Sequence, residues 1–338
     1  MFKRWYRYLS AFAILAMLLT SCGTPALPTP AGAAKPADSG QAAAPAAPAA
    51  DAKAPAGLKD VPRNRTLIMA GLGGEQPGAF TDMNLFNAYA PGLSRSGYTQ
   101  GCTEGLFYYN MLGDKFIPWM GESFKFNDDY TQVVVTLRKG VEWSDGQPFT
   151  AKDVAFSLNL LLKNPDLGYA GEIISTVKTA EVVDDLNVKI TLTTPNPRFV
   201  FDKLTFHADL GVPLVPEHVF KDQDPAKFNN YDPAKGWPLC TGPWKLVYTD
   251  VQRKIWDRRD DWWAAKIGFH KLPAVERMVF LPGMDENTMV QLISNNEIDL
   301  AFSFTPQNME LAKSQNPKIT TFSDKPPYGF MDWWPISL

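Results

Sequence analysis

Histidine and cysteine are scarce in this chain, with three of each among 338 residues. His207, His218 and His270 share no motif, and no H-E-x-x-H, C-x-x-C or G-x-S-x-G arrangement occurs. That scarcity argues against a catalytic metal and against a histidine-assisted nucleophile. The chain is therefore read as a non-enzyme that needs no cofactor and no metal. An excess of basic residues is missing as well: 33 Lys and Arg stand against 36 Asp and Glu, with no basic stripe. Nucleic acid is accordingly not an expected partner. The apolar stretch at residues 9–19 is too short to span a bilayer comfortably. The acid pairs Asp128-Asp129 and Asp184-Asp185 fall in expected turns, where solvated carboxylates are the norm.

What is present begins with an export signal. Lys3, Arg4 and Arg7 form a positive region ahead of the apolar stretch. Leu19-Thr20-Ser21-Cys22-Gly23 follows and resembles a bacterial lipobox, which implies that Cys22 is lipidated and becomes the first residue of the mature chain. A signal anchor that happens to contain a cysteine is the alternative. Residues 23–57 hold 15 Ala and 7 Pro among 35 positions, without apolar periodicity. Such a segment cannot bury enough surface to offset its ordering entropy and reads as a disordered, semi-extended tether. At about 3.1 Å per residue it reaches on the order of 100 Å. Without the signal peptide, 30 basic residues face 36 acidic ones.

The folded part is expected from about Leu58 onward, long enough for a sizeable core and for two units. Val133, Val135 and Leu137 alternate with polar residues as a half-buried strand. Ser144-Asp145-Gly146 is turn chemistry, and Thr150 stands three residues before Asp153 as a variant capping box. Behind it Val154, Leu158, Leu161 and Leu162 share a helical face. Residues 181–192 read as a hairpin about Asp-Asp-Leu-Asn. Residues 275–280 read as a strand, Asp285 as the cap of a helix with Met289, Leu292 and Ile293 on one face, and Ile298, Leu300, Phe302 and Phe304 as a further alternating strand. That order forms an α/β unit with parallel strands. The glycine-rich loop at 71–78 does not fit a nucleotide site, because the G-x-G-x-x-G spacing breaks at Gln76 and no P-loop lysine follows. Cys102 and Cys240 either pair in an oxidising compartment or stay as small buried thiols. Trp119, Trp143 and Trp244 are expected in packing rather than at a ligand.

Residues 137–158, LRKGVEWSDGQPFTAKDVAFSL, resemble a signature of the extracytoplasmic solute-binding proteins of peptide-type ABC importers. The passages from Gly101 to Asn110 and from Ile117 to Ser123, the hairpin, Arg258 to Trp263 and Asn296 to Leu300 resemble further words of that family. So does Leu239-Cys-Thr-Gly-Pro-Trp, where cysteine and tryptophan replace the usual glycine and tyrosine. The resemblance implies an α/β, periplasmic binding protein-like fold (type II, large peptide-binding class). Lobe one would take its mixed main sheet from 58–100 and 205–305, with 101–204 as an inserted α+β subdomain. Residues 306–338 would cross into a second lobe that is mostly missing, because the aromatic run at 328–338 simply stops.

The implied function is capture of an oligopeptide or similar solute by closure of two lobes, then delivery to an ABC permease with its ATPase subunits. The protein would be a monomer, lipid-anchored on the outer side of the cell membrane. By the same resemblance Gly73, Gly74, Glu75 and Gln76 at the mouth of the cleft, and Tyr328, Trp333 and Trp334 on the strand entering lobe two, are candidates for ligand contact. A surface lipoprotein of the same fold acting as sensor or adhesin is the competing function.

Overall fold

A computed structural model describes residues 57–70, 78–90, 97–110, 113–206, 211–301, 304–321 and 323–325. Its strands are β1 (Thr66–Ala70), β2 (Phe107–Asn110), β3 (Lys115–Pro118), β4 (Gly121–Phe126), β5 (Gln132–Leu137), β6 (Val177–Asp184), β7 (Asn187–Leu192), β8 (Thr205–Phe206), β9 (Trp244–Thr249), β10 (Lys254–Arg258), β11 (Arg277–Leu281) and β12 (Leu300–Ala301). They form a mixed five-stranded sheet in the order β12-β1-β11-β10-β9, a three-stranded sheet β3-β2-β8 and a four-stranded sheet β4-β5-β7-β6.

The five-stranded sheet is covered on both faces. Met69, Met278 and Phe280 point into the large core, whereas Ile68, Ala70 and Leu281 meet Met289, Leu292 and Ile298 in a second, smaller one. Strands buried on both sides tolerate continuous apolar sequence, which is what β1 and β11 carry. Their partner β12 is also parallel to β1. The helix Glu286–Ser294 makes the crossover, and its N-cap Asp285 accepts a hydrogen bond from the Thr288 N–H at 3.0 Å. Asp299 then ties the edge together: it receives both guanidinium nitrogens of Arg63 at 2.9 Å and the Ile68 N–H at 2.8 Å. One expectation needs correction here. The strand anticipated from Ile298 begins only at Leu300, and Leu300 is exposed whereas Ile298 is buried. Ile298 sits in the smaller core ahead of the strand, so it does not share a side with the exposed Leu300, and among the described residues β12 pairs with β1 alone. Phe302 lies outside the described residues.

The four-stranded sheet is antiparallel throughout and carries the helix Ala151–Lys163 on one face. Val133, Val135, Leu137, Val188 and Ile190 from the sheet and Val154, Leu158 and Leu161 from the helix are all fully buried. Each such side chain contributes about 1.5–3 kcal/mol relative to exposure. The helix start is closed reciprocally. Thr150 Oγ1 accepts from the Lys152 N–H at 3.3 Å, and the Thr150 N–H donates to Asp153 Oδ2 at 2.8 Å. Asp153 Oδ1 also accepts from the Glu217 N–H at 3.0 Å, so one buried acid pins two helix starts.

A disulfide joins Cys102 to Cys240 across 138 residues of sequence. It fastens the turn Tyr98–Cys102 to the loop entering β9. Beside it the Gly242 N–H donates to the Cys102 carbonyl at 2.9 Å. A Cβ on Gly242 would stand 2.0 Å from the Gly101 carbonyl oxygen, so this backbone contact requires glycine. Among the described residues no helix is long and apolar enough to cross a membrane.

Candidate functional site

Of the residues singled out from sequence, Cys22, Gly73, Gly74, Glu75, Gln76, Tyr328, Trp333 and Trp334 lie outside the described residues. A concave site is nevertheless present in the described part. Thr103, Glu104 and Gly105 form one wall, and Tyr169, Phe206 and Leu214 contribute to the others of a cavity of about 40 Å³. A water needs roughly 10–15 Å³ of such space, so the cavity alone admits a few waters or one small group. Its wall segment is held close to β8: a Cβ on Gly105 would lie 2.9 Å from the Phe107 carbonyl oxygen and 3.1 Å from Phe206 Cβ.

Glu104 is the chemically distinctive residue of this wall. Its Oε1 accepts from Trp119 Nε1 at 2.9 Å and its Oε2 from Trp263 Nε1 at 2.8 Å. A third indole, Trp262, brings its N–H toward the same carboxylate without reaching hydrogen-bonding geometry. The indoles are themselves fixed. Trp263 stacks on Phe269 with ring centres 5.6 Å apart, Trp119 meets Phe269 edge-on at 5.2 Å, and the Arg138 guanidinium lies 4.0 Å over the Phe269 ring. Arg138 Nε also donates to the Trp119 carbonyl at 2.6 Å. Burial in this aromatic surrounding raises the Glu104 pKa to about 7, against the opposing pull of the indole bonds and of Arg259. Arg259 is buried nearby, its Nη1 donating to the Cys240 carbonyl at 2.9 Å and to the Gly242 carbonyl at 3.1 Å.

With one indole bond on each oxygen, the carboxylate keeps acceptor capacity toward the cavity. It can therefore receive a donor from a small polar molecule, or donate when protonated. Among the described residues no cluster of three or more His, Cys, Asp or Glu could hold a metal ion. Sequence reasoning missed Glu104 as a site. The only local signal is an isolated acid opening the apolar run Gly-Leu-Phe-Tyr-Tyr, and its partners stand 15 and 159 residues away.

The described residues thus form a mixed α/β body with a disulfide beside a small cavity that Glu104 lines. The family is given by comparison: residues 115–333 match the model of bacterial extracellular solute-binding proteins, family 5 (middle region), and the chain belongs to that family. It is 25% identical over 229 residues to the nickel-binding periplasmic protein of Escherichia coli, covering 66% of this chain and 40% of that protein. It is 29% identical over 205 residues to the glutathione-binding protein GsiB of Pectobacterium atrosepticum, covering 58% of this chain and 36% of that one. Among solved structures, the periplasmic oligopeptide-binding protein of an ABC transporter from Thermotoga maritima superposes with a TM-score of 0.63 at 26% identity, over 79% of this chain and 46% of that chain. The chain thus spans less than half the length of these relatives.

Proposed function

We propose that this chain is part of the solute-binding component of a peptide-type ABC importer, receiving an oligopeptide or similar small solute and delivering it to the permease. The observation that carries the reading is Glu104, a carboxylate held by two indoles on the floor of an open cavity. A cavity of about 40 Å³ is far below the 300–1,000 Å³ of a typical ligand site, so capture needs a second wall facing Thr103–Gly105. Closure of two lobes on the solute supplies that wall in this reading, and the ligand favours the closed state because only there does it touch both. Gly73, Gly74, Glu75 and Gln76, together with Tyr328, Trp333 and Trp334, are the proposed further contacts. Lipidation at Cys22 and the tether at 23–57 would keep the body beside its membrane partner, outside the cytoplasm.

Amide hydrogen exchange of the chain tests this reading. Addition of short peptides at millimolar concentration is expected to slow exchange selectively in residues 99–106 and 211–214. If peptides, metal–amino acid complexes and oligosaccharides all leave those segments unchanged, the solute-binding assignment of this cavity is wrong. Titration calorimetry of residues 58–338 with the same peptides is expected to show weak binding, because one wall alone makes half of the contacts.

A further inference from the structure

A second concavity lies against β9 and measures about 380 Å³, within the roughly 300–1,000 Å³ of small-molecule sites and unlike the cavity beside Glu104. Residues 57–59, Tyr231 and Trp237 line it, with Lys245 and Tyr248 from β9 and Asp257 from β10. Its aromatic members are fixed. Trp237 has Phe228 packed edge-on at 5.5 Å and the Lys235 ammonium 4.6 Å over its ring. Tyr231 packs on Phe86 at 5.8 Å, and the Tyr248 hydroxyl donates to Asp250 Oδ2 at 2.7 Å. With that hydroxyl engaged, Tyr248 offers the groove mainly ring surface.

The lining disfavours two classes of ligand. A sugar or other neutral polyol needs several fixed hydroxyl, amide or carboxylate partners, and among the described residues the lining holds no Ser, Thr, Asn or Gln. A cation needs an acid with charge to spare. Asp257 has none: its Oδ1 accepts from Arg277 Nε at 2.6 Å and its Oδ2 from Arg277 Nη2 at 2.8 Å. The positive groups are in the opposite condition. Lys245 stands directly across the strand pair from Asp257, whose charge Arg277 already balances. Its Nζ reaches Gly236, next to Trp237, where a Cβ would stand 3.9 Å away. Lys59 Nζ lies 3.5 Å from Glu276, but that one carboxylate also serves Arg65 at 3.0 Å and Arg258 at 3.9 Å. Two ammonium groups short of counter-charge thus border three aromatic rings.

We propose that this groove binds a small organic anion with a flat apolar body, its ring against Trp237 and Tyr248 and its acidic head at Lys245 and Lys59. Such a ligand draws on what the groove holds in excess, ring surface and positive charge, and asks nothing of the groups already engaged. Occupancy ties residues 57–59 to β9. The groove shares no lining residue with the Glu104 cavity, and the inference does not depend on which solute the protein receives.

The probe is 2-naphthoate, with 2-naphthamide as its uncharged analogue and acetate as an anion without the ring. In calorimetric titrations the full chain is expected to bind 2-naphthoate with a Kd on the order of 1 mM, usual for a ligand of that size. Removing the charge from either side should weaken binding about fivefold, whether through the amide or through Lys245→Gln, a change at an exposed side chain. Acetate should not bind measurably. Amide exchange with 2-naphthoate present should slow in residues 231–237 and 245–248. Equal affinity for the acid and the amide, unchanged affinity in Lys245→Gln, or acetate binding as tightly as 2-naphthoate would overturn the proposal. Absence of saturable binding, or protection of residues 99–106 in place of the groove, would overturn it too.

Discussion

Glu104 combines burial, two indole hydrogen bonds and a raised pKa in one side chain. Its pKa is raised by burial from 4.5 to about 7, so the folded chain keeps this proton where the unfolded chain has released it. The stabilisation is complete below about pH 4.5 and is lost as pH climbs toward 7, with a ceiling of about 3 kcal/mol at 1.36 kcal/mol per unit. Glu104→Gln removes the titration and leaves one indole N–H opposite an amide donor. Urea unfolding at pH 5 and pH 7.5 is expected to give a flatter pH dependence for the variant than for the natural chain. Identical slopes would show that this carboxylate is not the titrating group. Lys254 is the other unusual residue: fully buried in β10, it bonds Asp82 Oδ1 at 2.9 Å and lies 4.0 Å over the Phe80 ring. Asp82→Asn removes the carboxylate that bonds this buried ammonium and is expected to cost about 3 kcal/mol. Lys254→Met should cost less, since the remaining Asp82 carboxylate, unlike the fully buried ammonium, still reaches solvent. Chemical denaturation of the two variants separates the outcomes.

Among the elements, those with local periodicity were legible from the sequence. Val133, Val135 and Leu137 alternate because β5 is covered on one face, and Thr150 with Asp153 marks the helix start because the orphan N–H groups there need acceptors. The hairpin of β6 and β7 turns at Asp185-Leu186, with Asp184 Oδ1 accepting from the Leu186 N–H at 2.8 Å. Leu300 was misread because Ile298, which packs into the smaller core, precedes the strand and does not set the side on which Leu300 falls. Gly242 belongs to the recognisable Thr-Gly-Pro word, yet the need for it became apparent only when Gly101 was seen against it. Gly242→Ala forces two backbones apart at the disulfide. A fall in the thermal midpoint of more than about 5 °C is expected, equivalent to a loss of over 1–2 kcal/mol for a chain of this length. An unchanged midpoint would mean that the loop relaxes freely.

For the molecule as a whole, the disulfide between Cys102 and Cys240 closes a loop across 138 residues of sequence. Chain-entropy reasoning assigns it a stabilisation near 5 kcal/mol, within the 2–5 kcal/mol seen when native disulfides are removed. Cys102→Ser with Cys240→Ser is therefore expected to lower the denaturant midpoint markedly, whereas reduction that leaves the midpoint unchanged would show the two cysteines to be unpaired in solution.

By itself the amino-acid sequence determined the element types, the capped helix, the turns and the family, because each rests on spacing within a few residues or on contiguous words. It could not determine that Glu104 meets Trp119 and Trp263, that Lys254 faces Asp82, or that Gly57 and Trp237 wall one groove. Those pairs are separated by up to about 180 residues, and only the packing of sheets and loops around common cores brings such distant groups within the few ångströms over which hydrogen bonds, charges and apolar contacts act.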